Sequence, residues 1–366
     1  MSDDRYAQRT ALIHGEQSWG ALFADGDGKP IPFTDNNASS YVQKSLDVMK
    51  IAPQELSRMR VFNIGSGREA AIFQQMGAGH VTLLDIAPQN VENARRYAAG
   101  RNVKNLTAIH GDIQETELPA NEYDLVFLAA VFQHIEVPAK GLIRLARSMK
   151  MGGRMYLGFT RSGEWKFFIV DAVRYLLSPD WLEATRKKVA LSTAMGEKIH
   201  YQTGRTMIDF FGPCQHKFHP DDVIHDAKRL GLEVLNFDND FREYAHEGKD
   251  YFSIGGDRIY LVKKGEPGAL PPLEQFRTVK GRNQLWDVPY KEPEIQANIE
   301  KVRRLKQLIE ADKISPDDAQ LLAINLYRFT RPFVPEQDEY YQQTVKLGRH
   351  AALGLYLDNV IRLYGS

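Results

Sequence analysis

A single cysteine, Cys214, is all the thiol chemistry this chain carries. One thiol excludes an internal disulfide, a CxxC redox pair and a multi-cysteine zinc site, and it fits a reducing compartment. Net charge is missing as well: 47 lysines and arginines balance 47 aspartates and glutamates, which argues against broad electrostatic capture of nucleic acid or of an anionic membrane surface. Long apolar runs are absent. The longest, Leu125 to Phe132, falls far short of the ~20 residues of a membrane-spanning helix, and the opening MSDDRYAQRT has no signal-like apolar region. The expectation is a cytoplasmic protein with no nucleic-acid and no membrane partner. What is present is ordinary for a globular chain: 43% apolar residues over 366 positions, room for two domains or for one large α/β domain with insertions.

The pattern divides the chain into five stretches. Residues 1–55 mix Gly, Asp and Pro with a helix from about Ser39 to Lys50, where Tyr41, Val42, Leu46 and Met49 share a face. Residues 56–160 alternate short β-rich runs (RVFNI, HVTLLD, LTAIH, YDLVFLAA, GRMYLGFT) with helices near Glu69–Gln75, Pro88–Ala98 and Pro138–Met149. That alternation predicts a doubly wound, mostly parallel sheet. Residues 161–220 break the rhythm and are rich in aromatics, among them Trp165, Phe167, Phe168, Trp181 and Tyr201; they read as a helical cap over the sheet. Residues 221–264 resume it with a helix and two strands, LEVLNFD and DRIYLVKK, which suit an antiparallel pair. After the breaker KGEPGALPPLEQ, residues 265–366 carry helical periodicity at Pro293–Ala311, Pro316–Arg331 and Pro335–Leu363. This C-terminal helical module is a candidate homodimer surface, a lid or a partner site.

The chemistry concentrates at strand ends. VFNIGSGREA (61–70) is a strand closing in a glycine turn that opens a helix, and Gly65 and Gly67 let backbone bend tightly and approach a ligand. Asp85 ends the second strand, placed to accept hydrogen bonds from both hydroxyls of a ribose. His110 ends the third, and Asp112 follows as an acceptor for an adenine amino group, with Ile86 and Ile113 flanking the base. The fourth ends in small residues near Ala129 and then presents Gln133 and His134. Together these indicate an adenosine-type ligand.

On these residues the chain resembles the class I S-adenosylmethionine-dependent methyltransferases, over about residues 40–160 and 221–264. The resemblance implies a seven-stranded Rossmann-like sheet with an antiparallel last strand, and S-adenosyl-L-methionine as cofactor. It assigns Asn63, Gly65, Ser66 and Gly67 to the glycine motif, Asp85 to the ribose and Asp112 to the adenine. Asn63 replaces the family's usual acid, and Glu69 replaces a frequent third glycine; the Glu69 carboxylate is a partner for the cofactor's ammonium group.

Gly65, Gly67 and Ala70 also satisfy the GxGxxA dinucleotide fingerprint, so an NAD(P)-dependent oxidoreductase is an alternative, as is a non-catalytic nucleotide-sensing or partner-binding module on the same sheet. HGDI, FQHI and the closing strand pair favour the methyltransferase. Methyl transfer asks mainly for alignment and exclusion of water, plus a base where the acceptor holds a proton. His134 is the candidate base. Asp209 and His216, with Arg205 and His219 nearby, are candidates to orient or deprotonate a small-molecule acceptor, through O- or N-methylation, beneath the cap. His219 before Pro220, Asp221 and Asp222 doubles as a helix entry. Cys214, His216 and His219 lack a fourth ligand, and no metal site is expected.

Overall fold

A computed structural model describes residues 3–16, 36–177, 208–210, 212–239, 257–328 and 346–365. In chain order the elements are α1 (Asp3–Ala11), α2 (Asn36–Val48), β1 (Arg60–Ile64), α3 (Arg68–Gln75), β2 (His80–Asp85) and α4 (Pro88–Gly100). There follow β3 (Leu106–His110), β4 (Tyr123–Leu128), α5 (Pro138–Ser148), β5 (Met149–Phe159), α6 (Trp165–Leu176) and α7 (Pro220–Arg229). The chain closes with β6 (Leu232–Asn239), β7 (Asp257–Lys263), α8 (Pro293–Glu310), α9 (Pro316–Arg328) and α10 (Arg349–Tyr364).

The seven strands form one sheet in the order β3-β2-β1-β4-β5-β7-β6. The first five in that order run parallel, and β7 inserts antiparallel between β5 and β6. This is the doubly wound architecture that the alternation predicts. Strand side chains alternate between two apolar layers. Phe62, Ile64, Val126 and Leu128 pack with Leu142 and Leu145 of α5 and Val223 of α7. Val61, Leu125 and Phe127 pack with Leu46 of α2, Phe73 of α3 and Ala94 of α4. With both faces covered, strand-interior residues such as Val61, Phe62 and Phe127 are wholly buried.

Three features depart from the sequence reading. Helix α1 has no counterpart in it, because the apolar signal of this segment is thin: Tyr6 is buried in the helix beside the polar Thr10, and Ile13 follows just beyond it. The cap helix α6 and the C-terminal helices share one apolar core, in which Phe168, Ile169 and Val173 meet Leu285, Ile299, Leu322 and Leu357. The breaker at 264–275 therefore does not separate two packing units: the strand of chain beyond it straps cap to sheet. Thr278 donates to Asp226 Oδ2 through its N–H at 2.7 Å and its hydroxyl at 2.8 Å, and the Gly281 N–H donates to His216 Nδ1 at 3.0 Å. The buried Lys217 ammonium pairs with Asp171 of α6, whose other oxygen accepts from the Gln284 N–H at 2.7 Å. Third, the last periodic segment is helical from Arg349 to Tyr364; positions 329–345, like Arg205, Trp181 and Tyr201 of the cap, lie outside the described residues.

Candidate cofactor and acceptor site

The carboxyl ends of β1 to β5 and the amino end of antiparallel β7 open on one cavity of about 360 Å³, within the size range of small-molecule sites. Its sheet end holds Gly65, Ser66, Glu69, Asp85, Ile86, Asp112, Ile113 and Ala129. Gly65 has φ +131° and a Cβ there would stand 3.2 Å from Val131 Cγ2, so the turn tolerates no other residue without strain. Its N–H donates to the Leu84 carbonyl at 3.3 Å, tying the turn to β2.

Asp85 is buried at the end of β2, and both of its donors, the Ala87 N–H at 2.6 Å and Asn90 Nδ2 at 3.2 Å, reach the same oxygen, Oδ1. Its second oxygen keeps its acceptor capacity for ligand hydroxyls. Burial pushes this carboxyl up to about 7 against the pull of those two hydrogen bonds. Asn90 Oδ1 is buried with no hydrogen-bond partner. Asp112 is held by its own loop, accepting from the Gln114 N–H at 2.8 Å and Gln114 Nε2 at 3.0 Å. Glu69 accepts from the Tyr41 hydroxyl and from Arg68 at 2.9 and 3.0 Å. These groups fit a nucleoside with an attached ammonium-bearing chain: a buried acid with an open oxygen, a fixed second acid and isoleucines for an apolar ring.

Two expected cofactor contacts stand behind the wall instead. Asn63 is fully buried within the sheet, its Nδ2 donating to the Phe127 carbonyl at 3.0 Å, and braces β1 on β4. Gly67, with φ +91°, caps α3 where a Cβ would meet Leu83 Cδ2 at 3.2 Å. Both shape the turn; neither lines the cavity.

The cap end gathers side chains from remote parts of the sequence: Tyr6, Thr10 and His14 from the N-terminal segment, Gln133 and His134 after β4, Glu164 and Phe167 at the start of α6, Asp209 and Gln215, and Asp257 and Arg258 of β7. His134 Nδ1 lies 3.1 Å from the Cys214 carbonyl, its own carbonyl accepts from the Tyr6 hydroxyl, and its ring meets that of His14 edge-on at 4.7 Å. Burial lowers its pKa to about 4, so the ring is neutral near pH 7. Nδ1 must then carry the proton given to Cys214, leaving Nε2 with a lone pair. Asp209 accepts from Gln215 Nε2 at 3.2 Å.

His216 does not join them. Its Nε2 lies 3.1 Å from the Glu136 carbonyl and its Nδ1 accepts from Gly281, outside the cavity lining, so both ring nitrogens are spent on holding the strap and none remains to deprotonate an acceptor. His219 accepts from the Asp221 N–H at 3.3 Å as the N-cap of α7, the helix-entry role its sequence context suggests. Tyr6, His14, Tyr156, Glu164 and Asp257 were not legible as site residues; the one local hint is the charged pair Asp257-Arg258 ahead of the apolar run Ile259 to Val262.

Comparison with known proteins concentrates on the sheet. The family model described as "Methyltransferase domain" matches residues 62–157. The chain is 33% identical to aklanonic acid methyltransferase DauC of Streptomyces sp. strain C5 over 30% of its own length and 52% of that protein. It is 33% identical to the mitochondrial ubiquinone biosynthesis O-methyltransferase of Schizosaccharomyces pombe over 25% of this chain and 34% of that one. It is 30% identical to the tRNA U34 carboxymethyltransferase of Pseudomonas putida over 30% and 35% respectively. The chain thus spans about half, or less, of the length of these relatives. The cap end lies largely outside the matched segment, whereas the sheet-end lining residues from Gly65 to Ala129 lie inside it. Residues 62–157 thus match a methyltransferase domain, and the sheet around them has the strand order that the resemblance to class I S-adenosylmethionine-dependent methyltransferases implies.

Proposed function

We propose that the whole chain is a methyltransferase that holds S-adenosylmethionine at the sheet end of the cavity and a small-molecule acceptor at the cap end. The observation that carries this reading is continuity: the groups suited to a nucleoside and those suited to an acceptor line one cavity. When bound, the cofactor supplies an electrophilic methyl group on a sulfonium. Asp85 and Asp112 hold the nucleoside, and Glu69, braced by Tyr41 and Arg68, faces the amino-acid end. Tyr6, Thr10, His14 and Phe167 roof the cap end and exclude water. His134 offers Nε2 to take a proton from the acceptor while its Nδ1–H stays on Cys214.

Relatives named for tRNA as well as for small metabolites share the sheet segment; a cavity of about 360 Å³ favours the small acceptor. No described helix is long and apolar enough to cross a membrane, and the lone, half-buried Cys214 suits the cytoplasm. Calorimetry tests the reading: S-adenosylhomocysteine should bind at micromolar concentration and NADH should not. Binding of NADH alone would replace it with the oxidoreductase. Methyl transfer to a metabolite panel then separates enzyme from sensor, and transfer to RNA but to no metabolite would move the acceptor out of the cavity.

A further inference from the structure

The cap end is short of hydrogen-bond donors in a specific way. Three residues that line it carry buried oxygens with no partner: Gln133 Oε1, Gln215 Oε1 and Asp257 Oδ2. Each amide is already committed through its nitrogen, Gln133 Nε2 to the Ala130 carbonyl at 2.9 Å and Gln215 Nε2 to Asp209, so neither can flip to offer an N–H. Asp257 is 1% exposed, at the first residue of β7 opposite Phe159 of β5. Arg161 approaches its Oδ1 at 3.5 Å from behind the cavity wall. That cation sustains the carboxylate in a buried setting while leaving Oδ2 without a donor. Of the arginines that do line the cavity, Arg68 pairs with Glu69 at the sheet end and Arg258 lies 3.6 Å from Asp238 of β6. Two more carboxylates, Glu164 and Asp209, share the wall.

Buried acceptors left unpaired cost stability, and a ligand that brings only acceptors would set oxygen against oxygen. We propose that the acceptor is a small amine, bound as its ammonium form with N–H groups to Asp257 Oδ2 and the two glutamine oxygens. This inference rests on the methyltransferase reading. An ammonium brings three N–H donors and a charge that complements the carboxylate, where a hydroxyl brings one donor and no charge. Before the nitrogen can accept a methyl group, one N–H bond breaks with its electron pair staying on nitrogen and an N–H bond forms at His134 Nε2, the base assigned above, while Asp257 Oδ2 and the glutamine oxygens keep the remaining N–H groups. The proton leaves to water on product release. Burial raises the Asp257 carboxyl to about 6, low enough to leave it mainly ionised near pH 7 and a stronger hydrogen-bond acceptor than an exposed carboxylate.

The test uses the full chain saturated with S-adenosylhomocysteine and titrated by calorimetry near pH 7 with 2-phenylethylamine, 2-phenylethanol and phenylacetate. The amine should bind best, about tenfold more tightly than the carboxylate. Asp257→Asn should erase about tenfold of the amine's affinity while leaving S-adenosylhomocysteine affinity and melting temperature close to wild type. A tie between amine and carboxylate, an alcohol that outbinds the amine, no amine binding below about 10 mM, or a folded Asp257→Asn with undiminished amine affinity overturns the proposal. If Asp257→Asn does not fold, the wild-type ranking decides alone. Failure of S-adenosylhomocysteine itself to bind sinks the methyltransferase reading; its binding without selectivity for the amine sinks only this inference.

Discussion

The two ends of the cavity are built on different plans. At the sheet end the lining residues fall in short runs at or just beyond strand termini: the turn at Gly65-Ser66 with Glu69 in the helix it opens, Asp85-Ile86, Gly111 to Ile113, and Ala129. At the cap end no two of Tyr6, His134, Phe167, Asp209 and Asp257 belong to the same local segment, and the strap around Thr278–Gln284 fixes their approach from a distance. On the proposed reading, a ligand shared by many proteins would be held by local motifs and an acceptor peculiar to one protein by tertiary convergence. Substitutions at the two ends should therefore fail in different measurements.

The largest effect is expected at the sheet end. Gly65→Val forces a β-branched residue into φ +131° against Val131 and should cost cofactor-product affinity about 3 kcal/mol, more than a hundredfold, with the sheet still folded by circular dichroism. Retained affinity would mean that the turn does not contact the ligand. Next comes the cap end: His134→Ala should lower turnover about a hundredfold, the scale of a lost general base, with S-adenosylhomocysteine affinity within experimental error of wild type. A loss of affinity equal to the loss of rate would make His134 a scaffold residue serving both ends.

Asp85→Asn should weaken S-adenosylhomocysteine by about 1–2 kcal/mol, the value of charge-assisted hydrogen bonds. The pH dependence gives a sharper signature. A ligand hydroxyl selects the carboxylate, and the unliganded group titrates at about 7. Affinity should rise as pH climbs through that value and level off above it. In Asp85→Asn the slope should vanish. A wild-type affinity that is flat from roughly pH 6 to 8 would show that Asp85 does not bear on the ligand.

The same contrast explains what the sequence could and could not reveal. Gly65, Asp85 and Asp112 are legible because strand, turn and acid follow one another within a few residues, and the strands announce themselves by alternation onto two buried layers. Asn63 and Gly67 show the limit of motif reading: both belong to the run, yet one braces strands and the other caps a helix. His216 was misread because its partners, the Glu136 carbonyl and the Gly281 N–H, are 80 and 65 positions away. The shared core of α6 with α8, α9 and α10 was hidden for the same reason, since each helix shows its own apolar stripe but not which other stripe covers it.

Tyr6 offers the smallest and cleanest test of the division. Its hydroxyl donates to the His134 carbonyl, and it lies near both Cys214 and Asp112, so it touches each end without belonging to a motif. Tyr6→Phe removes one hydrogen bond and leaves a carbonyl to find water or go without, worth about 1 kcal/mol. If α1 serves the acceptor by fixing the loop that carries His134, turnover should fall about threefold to fivefold while S-adenosylhomocysteine affinity holds. If affinity falls by the same factor and turnover at saturation does not, α1 closes over the cofactor, and the boundary between the two ends of the cavity must be drawn on the far side of that helix.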